Sequence, residues 1–166
     1  MSSFKLLYPK ALSIIFLLTI SVPFTISGDN SFFPLIDLIL IFYWSIYCPK
    51  LIPNWFVFLL GAIKDLISGA PIGVNMLLNL LTRFVLRSSR GEIIHANFIV
   101  IWQLFFITLL LVMILKWAML SIIAGEKLGI GFAHIQFALT VAVYPIFHYF
   151  FNMVFETIPK NFRENA

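Results

Sequence analysis

The chain has 166 residues, of which 61% are hydrophobic and 11% charged, against roughly 25% charged in an ordinary soluble domain. A water-soluble fold of this size has too little interior to hide so much apolar surface, so lipid is the expected solvent. Cys48 is the only cysteine, which excludes an internal disulfide and a cysteine zinc cluster. The net charge of +4 comes from basic residues scattered at the ends of apolar runs, a pattern of topology signals and not of a nucleic-acid surface.

A spanning helix needs about 20 largely apolar residues, and the stretches between charges place six such segments. The first, 11–27, follows Lys5 and Lys10 and ends at Gly28-Asp29-Asn30-Ser31. The second, 32–47, stops before Cys48-Pro49-Lys50, and the third, 52–68, closes at Gly69-Ala70-Pro71. The fourth, 72–88, fades into Arg83, Arg87 and Arg90. The fifth covers 96–124 before Gly125-Glu126-Lys127, and the sixth covers 131–155 ahead of a polar tail. The predicted architecture is an all-α membrane protein, a compact six-transmembrane-helix bundle forming one integral domain over 1–166. Two alternatives stay open at this level. The turn at Gly69 to Gly73 is compatible with a re-entrant hairpin, and the first segment with a signal peptide cut before Gly28.

With six spans, Lys5, Lys10, Lys50, Arg83, Arg87, Arg90, Lys160 and Arg163 share one side, eight of the eleven basic residues. Positive charge is retained in the cytoplasm, so a multi-pass protein with both termini cytoplasmic is expected.

Charges at membrane depth each need a reason, since one costs about 2.5–3.5 kcal/mol at mid-bilayer on insertion scales. Arg83, near a helix end, is expected to snorkel to the interface. Asp37, Lys64, Asp65 and Lys116 all fall in the half of the bilayer away from the basic side. Two acids and two bases at one depth either clamp helices together or line an outward-facing cleft for a partner helix or ligand. Lys64 and Asp65 are neighbours, about 100° apart around a helix, and cannot both face one partner.

Gly61, Asp65 and Gly69 recur every fourth residue along one stripe, where small residues admit a close helix and a carboxylate supplies polar adhesion. Pro71, Gly73 and Asn75 follow with turn and capping chemistry, and Asn79 extends the face of Asn75. His134 and His148 lie about 21 Å apart along their helix and cannot share a metal ion, and His95 has no ligand set around it. Gly129-Ile130-Gly131 lacks the strand and third glycine of a dinucleotide site. No nucleophile–base pair can be assembled. A non-enzyme without cofactor is the expectation.

The string Gly61-Ala62-Ile63-Lys64-Asp65-Leu66-Ile67-Ser68-Gly69-Ala70-Pro71-Ile72-Gly73-Val74-Asn75 resembles the signature of the MreD family of bacterial rod shape-determining membrane proteins. Tyr43-Trp44, Cys48-Pro49, Pro53 and Trp55 resemble that family's approach to the motif, and Lys64 departs from it, apolar residues being common there. The matching positions are Gly61, Asp65, Gly69, Pro71, Gly73 and Asn75. The resemblance implies an inner-membrane component of the cell-elongation machinery, acting beside MreC, the actin-like MreB and the cell-wall synthases. It also implies a bundle similar to the substrate-binding subunits of energy-coupling transporters. Two functions follow as expectations. One is a non-catalytic scaffold docking a single-span MreC-like protein through the outer charges. The other is a transporter subunit holding a vitamin-like solute there, which would need Asp37, Asp65, Lys116, Asn75 and His134 to converge. Under the first, Asp65→Ala should weaken partner capture, while Arg83→Ala should matter little.

Overall fold

The computed structural model describes residues 34–50, 52–69, 71–88, 90–94, 96–125 and 133–156. The expected first span, 11–27, lies outside them. So do His95, the Lys127 loop and the terminal basic residues Lys5, Lys10, Lys160 and Arg163.

The apolar run after Pro34, charged only at Asp37, forms α1, Ile36–Tyr47. The Pro34 and Leu35 carbonyls accept its first N–H groups, and Asp37 sits in its first turn, where a negative charge opposes the positive end of the helix dipole. Every residue from Asp37 to Ile46 is buried. A helix apolar on all sides belongs at the centre of a fold, and α1 is that centre. It touches each of the other described helices.

Two helices of 15 residues follow, α2 (Asn54–Ser68) and α3 (Val74–Ser88). Gly69 ends α2 in the left-handed conformation at φ 64°, and Gly73 at φ 110° turns the chain into α3. A residue with a Cβ pays for either geometry, and glycine does not. The helices are antiparallel, because Arg83 near the end of α3 bonds Asn54 at the start of α2 while Gly61 meets Met76. A Cβ at Gly61 would lie 2.5 Å from the Met76 Cα, so the missing side chain is what lets the two backbones touch.

A single turn, α4 (Arg90–Ile93), leads to α5 (Phe98–Ala124), which ends on Gly125 at φ 70°. The last helix, α6, runs Ala133–Glu156 with Pro145 inside it. Proline offers no N–H to the carbonyl four residues back. That carbonyl, of Val141, instead accepts Trp102 Nε1 from α5 at 3.4 Å, as an apolar surrounding requires.

The helices are inverted with respect to water. On α3, Asn75, Asn79, Thr82 and Arg83 face inward, while Leu77, Leu81, Phe84 and Val85 are exposed. On α2, Trp55, Phe58, Leu59 and Leu66 are exposed while Asp65 is fully buried. Lipid accounts for that arrangement and water does not. Among the described residues two helices are long and apolar enough to cross a bilayer, Phe98–Ile123 and Ala133–Glu156. Helices α1, α2 and α3 occupy the expected second, third and fourth segments but extend only about 18, 22 and 22 Å, short of the roughly 30 Å hydrocarbon thickness. The described chain is thus all-helical, with two helices of spanning length.

Candidate functional site

The Gly61–Asn75 segment is the hairpin of α2 and α3, and Asp65 organises it. Its carboxylate is fully buried. Oδ2 accepts the Gly73 N–H at 2.9 Å, and Oδ1 accepts both the Asn75 backbone N–H at 3.1 Å and the Asn75 side-chain amide at 2.7 Å. The first turn of α3 has N–H groups without intrahelical partners and carries the positive end of a dipole. Asp65, one turn before the end of α2, supplies the negative cap. Within the chain the aspartate thus fastens one helix to the start of the next, and no part of it faces outward.

Lys64 points elsewhere, as the 100° step requires. Its Nζ donates to both carboxylate oxygens of Asp37 at 2.6 Å, which joins α2 to α1. Lys116 of α5 is half-buried and close enough to Asp37, Lys64 and Asp65 to feel all three charges. Asp37, Lys64 and Lys116 are therefore brought together at one end of the bundle, with Asp65 behind them. Asp37–Lys64 is a closed pair; Lys116 makes no hydrogen bond or ion pair among the described residues. Pro71 gives its carbonyl to the Val74 N–H at 3.4 Å, and Gly69 acts as a cap and not as a member of a helix-contact stripe. His134, expected among the converging groups of a solute site, is exposed, while Asp65 and Asn75 are occupied with each other.

Arg83 does not snorkel. It is 2% exposed, with Nε donating to Asn54 Oδ1 at 2.7 Å and Nη2 to the Pro49 carbonyl at 2.9 Å. The turn after α1 folds over the end of α3 and offers acceptors nearer than water. Asn79, on the same face as Asn75, is buried, and its Nδ2 has no partner among the described residues.

A second buried polar group joins α1 to α6. The Tyr43 hydroxyl donates to Asn152 Oδ1 at 2.6 Å. His148 stands between Tyr144 and Asn152 at longer contacts of 3.4 and 3.5 Å, ringed by Tyr43, Tyr47 and Phe98. The i, i+4 spacing of Tyr144, His148 and Asn152 was the available signal, one face of one helix. No group of three His, Cys, Asp or Glu able to hold a metal ion occurs among the described residues.

A carboxylate–ammonium pair and a buried capping aspartate, inside helices whose apolar side chains face outward, define a helical membrane protein built around an internal polar seam. The chain belongs to the MreD family: the family model for rod shape-determining protein MreD matches residues 3–154. Membership gives it a role in rod shape determination, within the rod-shape system, and the family is one of structural components not known as enzymes. No curated protein and no solved structure matches the chain.

Proposed function

We propose that the chain is a non-catalytic scaffold of the cell-elongation complex in the bacterial inner membrane. It crosses the bilayer six times with both termini cytoplasmic, in a bundle similar to energy-coupling transporter subunits. It docks an MreC-like single-span protein and through it organises MreB and the peptidoglycan synthases. The observation that carries this reading is Lys116: a half-buried ammonium beside an ion pair that is already closed. A cation at membrane depth calls for a counter-charge or acceptor. A partner helix placing a carboxylate or carbonyl at that height supplies it, between α5 and the α1–α2 pair.

The family membership supports the reading, and the outward apolar faces of α2, α3 and α5 give a partner helix surface to pack on. The test is co-purification of the MreC-like partner with wild type, Lys116→Ala and Lys116→Glu from membranes. Capture should fall several-fold for alanine and further for glutamate. Equal capture by all three removes Lys116 from the interface. Depletion in the native bacterium should make rods swell and round; rods of unchanged width that need a supplied vitamin would point to solute transport instead.

A further inference from the structure

At the end of the bundle opposite Asp37–Lys64, a cavity of about 480 Å³ opens between the turn after α1, the start of α2 and the end of α3. Its volume falls in the roughly 300–1,000 Å³ range of small-ligand sites. Among the described residues four cationic side chains line it, Lys50, Arg83, Arg87 and Arg90, and no acidic one does. Arg90 is anchored by Nε on the Ile46 carbonyl at 2.8 Å, and Arg83 is held by Asn54 and Pro49. The remaining nitrogen of Arg83, Nη1, is buried and has no partner. Arg87 lies near enough to repel it.

Lys50, Arg83 and Arg87 around one concavity, with a fixed Arg83 guanidinium donor left over, make a site short of an anion. Guanidinium groups pair best with planar or tetrahedral oxyanions, phosphate above all. The rim gives the rest of the chemistry. Trp55 is 66% exposed beside the cavity, a residue suited to headgroup depth. Exposed Phe58 and Phe84 continue from there along α2 and α3 as surface for an acyl chain. The orientation proposed above puts this end in the cytoplasmic leaflet, where basic pockets between helices bind anionic headgroups.

We infer that this cavity binds the phosphate of an anionic phospholipid headgroup, with Arg83 Nη1 as the buried donor and Lys50 and Arg87 as the exposed rim. The site is independent of partner docking, which lies at the other end of the helices.

The test uses the full chain, delipidated in detergent and titrated with phosphatidylglycerol, cardiolipin and phosphatidylethanolamine, with bound lipid counted by native mass spectrometry. Arg83 contributes to the fold, so the deciding variant is Lys50→Gln/Arg87→Gln, which alters exposed side chains only. The anionic lipids should be retained over phosphatidylethanolamine, and each charge removed should weaken them about fivefold. Lys116→Gln should leave retention unchanged. Equal retention by wild type and the double variant, or no preference between anionic and zwitterionic lipid, overturns the assignment. Inorganic phosphate titrated in the same way separates the sources. Phosphate bound by wild type and lost in the double variant, without lipid preference, makes the site one for soluble phosphate and overturns the lipid. Co-purification of an acidic polypeptide that anionic lipid fails to displace overturns it as well.

Discussion

Asp65 and Asn75 face each other across the α2–α3 turn, the carboxylate accepting both the backbone and the side-chain N–H of the asparagine. The residue one turn before the end of one helix is thereby the N-terminal cap of the next, and the turn between them is held from inside.

Asp65→Ala should accordingly destabilise the protein before it affects any partner. It strands the Gly73 N–H and both Asn75 donors in a buried site, each worth about 1–3 kcal/mol when left unsatisfied. Thermal unfolding of the purified protein in detergent should show a clear loss, with Asp65→Asn intermediate. An unchanged unfolding temperature in Asp65→Ala would leave the cap without energetic weight.

Gly61→Ala places a methyl group against the Met76 backbone, at 2.5 Å from Cα and 2.7 Å from N. Backbone cannot rotate aside as a side chain can, so the upper part of the usual overpacking cost of about 1–3 kcal/mol is expected. Cross-linking between cysteines introduced on α2 and α3 should report a widened hairpin. Gly91→Ala, where a Cβ meets nothing, is the control that should leave spacing and stability alone.

Neutralising either member of the Asp37–Lys64 pair leaves the other charge poorly solvated, at a cost of about 3–5 kcal/mol for a buried pair. The reversed pair, Asp37→Lys with Lys64→Asp, should recover part of that loss. Recovery should stay incomplete, because a lysine in the first turn of α1 opposes the helix dipole. If the double reversal is no better than the worse single change, the two residues are not coupled, and expression level with thermal stability will show it.

Arg83→Ala removes donors to Asn54 and to the buried Pro49 carbonyl, so it should lower stability by about 2 kcal/mol or more. Arg87→Ala, one helical turn on and exposed, should change stability little. Similar unfolding temperatures for the two variants would return Arg83 to the role of an interfacial charge.

The helices were legible because charge is so sparse: apolar runs with no more than two charges each, set off by Pro and Gly, coincide with α1, α2, α3, α5 and α6. Their lengths were less so. The segment 32–47 carries a single charge, Asp37, and within its described residues the helix starts at Ile36, two residues after Pro34. The polar end of the bundle was legible from depth alone, since Asp37, Lys64 and Lys116 fall at matching heights in any antiparallel arrangement. What Asp65 faces was not. Four-residue spacing identifies a stripe on a helix, while the identity of its partner depends on how the chain turns at Gly69 and Gly73. Arg83 was misjudged for a related reason: its acceptors come from Pro49 and Asn54, 34 and 29 residues away. The Tyr43–Asn152 bond spans 109 residues, and nothing local to either residue announces it.

The inward polar face of α3 bears on biosynthesis. A segment carrying Asn75, Asn79, Thr82 and Arg83 along one side partitions poorly into lipid when it leaves the insertion machinery by itself. Joined to α2, it presents hydrocarbon with Leu77, Leu81 and Phe84 while Asp65 and Asn54 receive its donors. The two helices are therefore suited to enter the bilayer as a preformed pair, and truncation between them would leave α2 with an unmatched carboxylate as a substrate for membrane quality control.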